Sequence, residues 1–339
     1  MQTSLRRTLA LAAAAAALAA SAASAARAQA PANTDVYVAP ITRLGDSIVV
    51  GRPVNVTHRD GYDNQPAFTA DSRAVLYTAQ AGGQTDIWRY ELGTRRTLRL
   101  TRTPESEYSP RPIPGSSRFS VVRVERDSTQ RLWSFAADGG DPQLVLAGLK
   151  PVGYYAWIGP TTLAAYLLGS PSTLHLVETD GSQDVVLSKD VGRSIENIPV
   201  TSRALFSFTQ KGYQGQPGVF VFTGGTDTIR YAHKVVRIDP SRRGALAQSE
   251  QVVTDSVVVS TKRPYELVGL PTDNEFHAWT PDGVLLGASQ SVLQRWSGVL
   301  NQGSTWLPVA DLKPWGVRNV SRLAVSPDGH WLAFVAEPK

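Results

Sequence analysis

Tyr62 to Glu91 reads YDNQPAFTADSRAVLYTAQAGGQTDIWRYE, and its pattern returns along the chain at a spacing near 45 residues. Pro66 to Thr69 is short and extended, Ala70-Asp71-Ser72 is a turn, and Ala74 to Ala79 is a strand rich in Val, Leu and Tyr. Ala81 to Gln84 turns again, Thr85 to Glu91 alternates around Ile87 and Trp88, and Thr97 to Thr101 alternates Leu with Thr and Arg after a turn at Gly93-Thr94. Four short strands joined by Gly, Asp and Ser turns spell an up-and-down antiparallel sheet.

The residue before the first turn aligns as Phe68, Pro112, Trp157, Trp279 and Val325, with steps of 44 from Phe68 to Pro112, 45 to Trp157, and 46 from Trp279 to Val325. A weaker copy sits near Ile198. The turns are ADS at Ala70 to Ser72, PGS at Pro114 to Ser116, GPT at Gly159 to Thr161, and PDG at Pro281 to Gly283 and Pro327 to Gly329. Proline presets one turn dihedral and glycine supplies a positive φ, so these are physical turn signals. One four-stranded sheet cannot bury both faces, so the copies must stack, and radial stacking gives an all-β propeller. The last copy, VSRLAVSPDGHWLAFVAE at Val320 to Glu337, supplies two strands, and Thr34 to Thr57 supplies two more around Val36 to Val38 and Ile48 to Val50. Pairing the two chain ends in one shared blade would close the ring and remove exposed sheet edges. Six blades result.

SPDG followed by an apolar strand, then a D-I-W strand, resembles the TolB-like family of six-bladed propellers, and the likeness covers nearly everything after residue 33. That resemblance implies a scaffold or binder more than a catalyst, since one fold hosts many functions. The chain departs from the TolB pattern before the ring, where Gln29 to Gly61 leaves no room for an N-terminal α/β domain. A direct role in the Tol–Pal envelope system is therefore not implied.

Met1 to Ala28 carries Arg6 and Arg7, an Ala/Leu run from Leu9 to Ala20, and small residues ending in Ala26-Arg27-Ala28. It reads as a secretory signal peptide cleaved after Ala28, leaving 29–339 as one propeller domain in the periplasm or outside the cell. The arginine pair alone does not separate Sec from twin-arginine export. The chain has no cysteine, so no lipidation, disulfide or thiolate site. The formal net charge of +5 falls to +2 when Arg6, Arg7 and Arg27 leave with the leader, so the basic balance does not argue for nucleic acid. No membrane span remains after cleavage, and a monomer is expected. The fourth blade is too long: an insertion is expected over about 210–260, with an extra hairpin at Val219 to Ala232 and a polar loop at Asp239 to Glu250. The alternative is a seventh blade there.

In a propeller the innermost strands line the channel, so residues just before the aligned position meet at one mouth. They are Asn64, Glu107, Tyr108, Tyr154, Tyr155, Glu196, Glu275, His277 and Arg322, a mixed polar and aromatic set suited to a ligand or partner. The competing reading is hydrogen-bonded packing around a water-filled channel. None of the five histidines, His58, His175, His233, His277 and His330, has a short metal-ligand spacing. No G-x-S-x-G elbow, P-loop or G-x-G-x-x-G is present. Trp88, Trp133, Trp157, Trp279 and Trp331 recur at equivalent positions and read as inter-blade packing, whereas Trp296, Trp306 and Trp315 leave room for binding. Two functions follow: an exported, non-enzymatic module for a protein or peptide partner in the envelope, with no cofactor, or a metal-dependent hydrolase or lactonase using Glu107, Glu196 and Glu275 with calcium.

Overall fold

A computed structural model describes residues 33–338, apart from 46, 200–205, 213–214, 225, 239–247, 261–262, 272–273, 297 and 299–304; in 226–238 and 248–260 it describes the backbone alone. The expected leader, and residues 239–247 of the expected polar loop, lie outside the described residues.

The chain opens with β1 (Asp35–Leu44), β2 (Ser47–Val50) and β3 (Val54–Asn55). Blade 1 is β4 (Asp63–Phe68), β5 (Ala74–Ala81), β6 (Gln84–Glu91) and β7 (Thr97–Arg99), and blade 2 is β8 (Ser106–Pro112), β9 (Phe119–Val124), β10 (Gln130–Phe135) and β11 (Gln143–Leu144). Blade 3 is β12 (Val152–Trp157), β13 (Thr162–Leu167), β14 (Thr173–Glu178) and β15 (Asp184–Lys189). Blade 4 begins with β16 (Val191–Asn197), β17 (Phe206–Lys211) and β18 (Pro217–Phe222). The separate two-stranded ribbon β19 (Thr226–Ile238) and β20 (Gln248–Ser260) follows, and β21 (Tyr265–Gly269) completes the blade. Blade 5 is β22 (Ala278–Trp279), β23 (Leu285–Ser289), β24 (Val292–Trp296) and β25 (Trp306–Asp311), and the chain ends in β26 (Arg318–Val325) and β27 (Trp331–Glu337).

Blade 6 is the shared one. β27 pairs β26 on one side and β1 on the other, in register from Asp35 opposite Ala336 to Pro40 opposite Trp331. The innermost strands touch in sequence around the ring, β4 to β8, β12, β16, β22, β26 and back to β4. The protein is a six-bladed β-propeller. Its core lies in the seams. Blade 6 puts Val36 and Val335 against Tyr77 and Tyr90 of blade 1, and Tyr37, Leu332 and Phe334 against Leu286, Leu293 and Leu312 of blade 5. Leu76 and Ile87 meet Phe119, Val121 and Phe135 in the next seam.

The repeated turn has a reproducible chemistry. The hydroxyls of Thr69, Thr280 and Ser326 donate to Asp71, Asp282 and Asp328 at 2.6, 2.5 and 2.5 Å, and each accepts the N–H of the strand that follows. Gly283 and Gly329 supply the positive φ that the PDG turns require.

The extra length in blade 4 is distributed differently from the sequence expectation. Val219 to Ala232 is not one hairpin: Val219 and Val221 are buried in blade 4 through β17, and the turn after Phe222 hands the chain to β19. β19 pairs β20 over thirteen residues, Thr226 opposite Ser260 to Ile238 opposite Gln248, so the added segment begins after the third strand of the blade. Two strands do not make a seventh blade. The tryptophans also differ from expectation. Trp88, Trp133, Trp157, Trp279 and Trp331 pack in seams, but so do Trp296 and Trp306 beside Leu285, and Trp315 beside the blade 5–blade 6 core.

Candidate functional site

Innermost strands run from a leading mouth, where they begin, to a trailing mouth, where they end. Near their beginnings the strands bulge: pairing slips between Asn64 and Ala67, Tyr108 and Arg111, Val152 and Tyr154, Val191 and Ile195, and again around Arg322. Gln65, Ser109 and Arg322 take positive φ values of 56°, 53° and 38° at these slips. A bulge re-aims the side chains that follow it. Counting back from the aligned residue therefore does not reach equivalent orientations in every blade.

The structure separates the nine sequence-selected residues into two groups. Asn64, Glu107, Tyr155 and His277 are buried in the walls. Asn64 accepts the Gln65 N–H at 2.8 Å. Glu107 accepts a hydrogen bond from Thr103, and its carboxyl is pushed up to about 7 by burial, because the nearest guanidinium nitrogen of Arg123 is 3.8 Å away and that arginine is committed to Glu105. Tyr155 and His277 play one repeated part. Ser120 in blade 2 accepts the Trp157 Nε1–H at 2.8 Å and lies 2.8 Å from the Tyr155 hydroxyl; Ser207 in blade 4 accepts the Trp279 Nε1–H at 2.8 Å and lies 2.8 Å from His277 Nε2. Both pairs pin an innermost strand to the second strand of the preceding blade. Burial holds the His277 imidazole down at about 3, so it is neutral.

Tyr108, Tyr154, Glu196, Glu275 and Arg322 form the second group, joined by residues that were not selected: Tyr62, Arg111, Arg193 and Phe276. Arg111 in blade 2 makes a two-pronged ion pair with Glu196 in blade 4, at 2.9 and 2.8 Å, across the channel. Arg193 pairs with Glu275. Arg322 lies over Phe276 at 4.2 Å and Tyr154 at 5.3 Å from the ring centroids. Tyr62, pushed up to about 12 by burial, is within electrostatic reach of Arg322, Tyr154, Tyr108 and Arg193. These side chains fill the leading half of the channel down to a cavity of about 50 Å³.

The trailing mouth is open. A bowl of about 430 Å³ is walled by Phe68, Pro112, Trp157, Pro199, Trp279 and Pro327, one from each blade, and Arg111 and Glu196 border both it and the inner cavity. Four of these residues, Phe68, Pro112, Trp157 and Trp279, are the aligned residues of the repeat. The repeat that sets the architecture thus also marks the wall of the bowl.

The carboxylates considered for calcium are engaged within the protein. Glu196 and Glu275 each hold an arginine, Glu107 is sealed between blades 1 and 2, and among the described residues no three His, Asp or Glu side chains are placed to hold a metal ion.

No protein-family model matches the chain. An uncharacterised protein from Agrobacterium fabrum is 24% identical over 98 residues, which is 27% of this chain; the match spans a third (33%) of that relative's length. A putative TolB from Agrobacterium tumefaciens superposes with a TM-score of 0.56 at 13% identity, covering 91% of this chain and 99% of that one. A gluconolactonase from Xanthomonas campestris superposes with a TM-score of 0.54 at 12% identity, covering 93% and 99%. At these identities the likeness is one of fold. The chain shares the TolB-like six-bladed propeller, an architecture that also carries enzymes.

Proposed function

We propose that the chain is an exported, non-enzymatic propeller that binds a protein or peptide partner in the cell envelope, with an apolar segment of that partner seated in the trailing bowl. The bowl carries this reading. It has the volume of a small-ligand or peptide-side-chain site, its walls are rich in aromatic and proline residues, and its few polar groups are the Arg111–Glu196 pair, Asn197 and Ser326. Tryptophan and arginine are the residues that most often dominate interface energies. Export rests on the leader, and N-terminal sequencing of periplasmic protein is expected to begin at Gln29. The test is a pull-down from envelope extract, followed by affinity measurement with the purified partner. Ala70 is exposed on the bowl rim, so Ala70→Arg obstructs the bowl without disturbing the core, and binding is expected to weaken at least about tenfold. Unchanged affinity would remove the bowl from the reading.

The metal-dependent hydrolase alternative draws on the fold shared with a gluconolactonase. Stoichiometric calcium retained through dialysis against a chelator, with loss of stability on its removal, would favour it over the binding module.

A further inference from the structure

Three arginines reach the cavity in the leading half of the channel, and two are neutralised: Arg111 by Glu196 and Arg193 by Glu275. Among the described residues Arg322 has no carboxylate within ion-pair distance. Its guanidinium is held by π faces instead, Phe276 from the segment leading into blade 5 and Tyr154 from blade 3. Ring faces grip the plane of a guanidinium and leave its in-plane N–H donors unspent. The backbone that delivers it is costly: φ is +38° at a residue with a side chain, inside a bulge, the kind of strain that persists where a side chain must be aimed. Tyr62, still a phenol at neutral pH, adds a hydroxyl nearby.

We propose that this half of the channel is a carboxylate-binding site in which the edge of the Arg322 guanidinium takes both oxygens of the anion. The forked donor geometry matches a planar carboxylate. A single uncompensated cation balances a monoanion, and a cavity of about 50 Å³ admits a terminal group and no more. A carboxylate of this size comes either from a small free acid or from the tip of a peptide, as its C-terminus or an acidic side chain. Arg322 does not line the trailing bowl, so loss of this site in an Arg322 variant and failure of the bowl are distinguishable.

The experiment is calorimetric titration of the mature full chain at constant ionic strength. The probes are sodium acetate against a sodium chloride blank, an N-acetylated apolar tripeptide with a free C-terminus, its amide, and the amide with one internal glutamate. Acetate is expected to bind at one site. A gain for the free-terminus peptide assigns the anion to a C-terminus, a gain for the glutamate peptide assigns it to a side chain, and no gain for either assigns it to a free acid. Arg322→Gln is expected to weaken every carboxylate probe by at least about tenfold, with Arg322→Lys between it and the parent, because an ammonium keeps the charge and loses the fork. Should the variants fold poorly, phenylglyoxal labelling of the parent gives the same answer: acetate should protect Arg322 and chloride should not. Absence of acetate binding to the parent, equal binding by Arg322→Gln, or labelling of Arg322 unaffected by acetate would overturn the proposal.

Discussion

Ser120→Ala removes one oxygen from a fully buried position and tests how the blades are fastened. In the parent, Ser120 Oγ accepts the Trp157 Nε1–H at 2.8 Å and meets the Tyr155 hydroxyl at 2.8 Å, while that hydroxyl donates to the Ser109 carbonyl at 3.1 Å. In the variant Tyr155 keeps its carbonyl and the Arg111 carbonyl loses the Ser120 hydroxyl at 3.2 Å, whereas the N–H of Trp157, a residue only 6% exposed, loses its acceptor. The volume change is too small to open a cavity, so the cost is that of one orphaned buried donor, about 1–3 kcal/mol. For a chain of this size the urea dependence is about 3 kcal/mol per molar or steeper, and the midpoint should fall by about 0.3–1 M. The assay is urea unfolding followed by tryptophan fluorescence and far-UV circular dichroism, with coincident transitions as the two-state check. Adding Trp157→Phe removes the donor as well, so the double variant should lose less than the sum of the singles. A Ser120→Ala midpoint equal to the parent's, or strictly additive losses, would refute the view that this serine is an inter-blade anchor.

Deleting Val320 to Lys339 strips β1 of its partner from Asp35 to Pro40 and exposes sheet edges on both flanks of the gap, so aggregation or loss of cooperative unfolding is expected by light scattering and calorimetry. A truncated chain that stays monomeric and melts like the parent would contradict ring closure. Glu107 gives a pH prediction. Its folded value is raised to about 7 from an ordinary 4.5, so between these values the native state binds more protons than the unfolded state, and this group makes stability fall as pH rises. Glu107→Gln should match the parent near pH 4.5 and gain on it up to pH 7, by an amount on the order of 3 kcal/mol at full shift. A difference independent of pH would show that Glu107 ionises normally.

The fold was legible because its signals are local and repeated. The turns at Thr69, Thr280 and Ser326 each place an aspartate two residues after a hydroxyl, and the apolar run Val36-Tyr37-Val38 marks the N-terminal half of the shared blade. The channel was only partly legible. Gln65, Ser109 and Arg322 are ordinary residues held at positive φ, and nothing in their side chains announces a bulge, so a two-residue period carried across them assigns the wrong face. His277 and Tyr155 read as mouth residues from their place in the repeat, while their partners Ser207 and Ser120 sit in the preceding blades, a relation that exists only after folding. Phe276 stood one residue from a selected histidine. The break between β18 and β19 is hidden in the sequence because the letters Thr223-Gly224-Gly225 read as a hairpin signal whichever strands they join.

A propeller is a closed chain of near neighbours: each blade is held by the two beside it, and the free energy of the ring is approximately a sum of seams. The Arg111–Glu196 pair does not obey that arithmetic, since it ties blade 2 to blade 4 and passes blade 3 by. Opening either seam between blades 2 and 4 must also break this chord, and the Arg322 guanidinium of blade 6, set over Tyr154 of blade 3 and Phe276 ahead of blade 5, lays a second one across the ring. Arg111→Ala should therefore lower hydrogen-exchange protection in blades 2, 3 and 4 together and not at one seam alone.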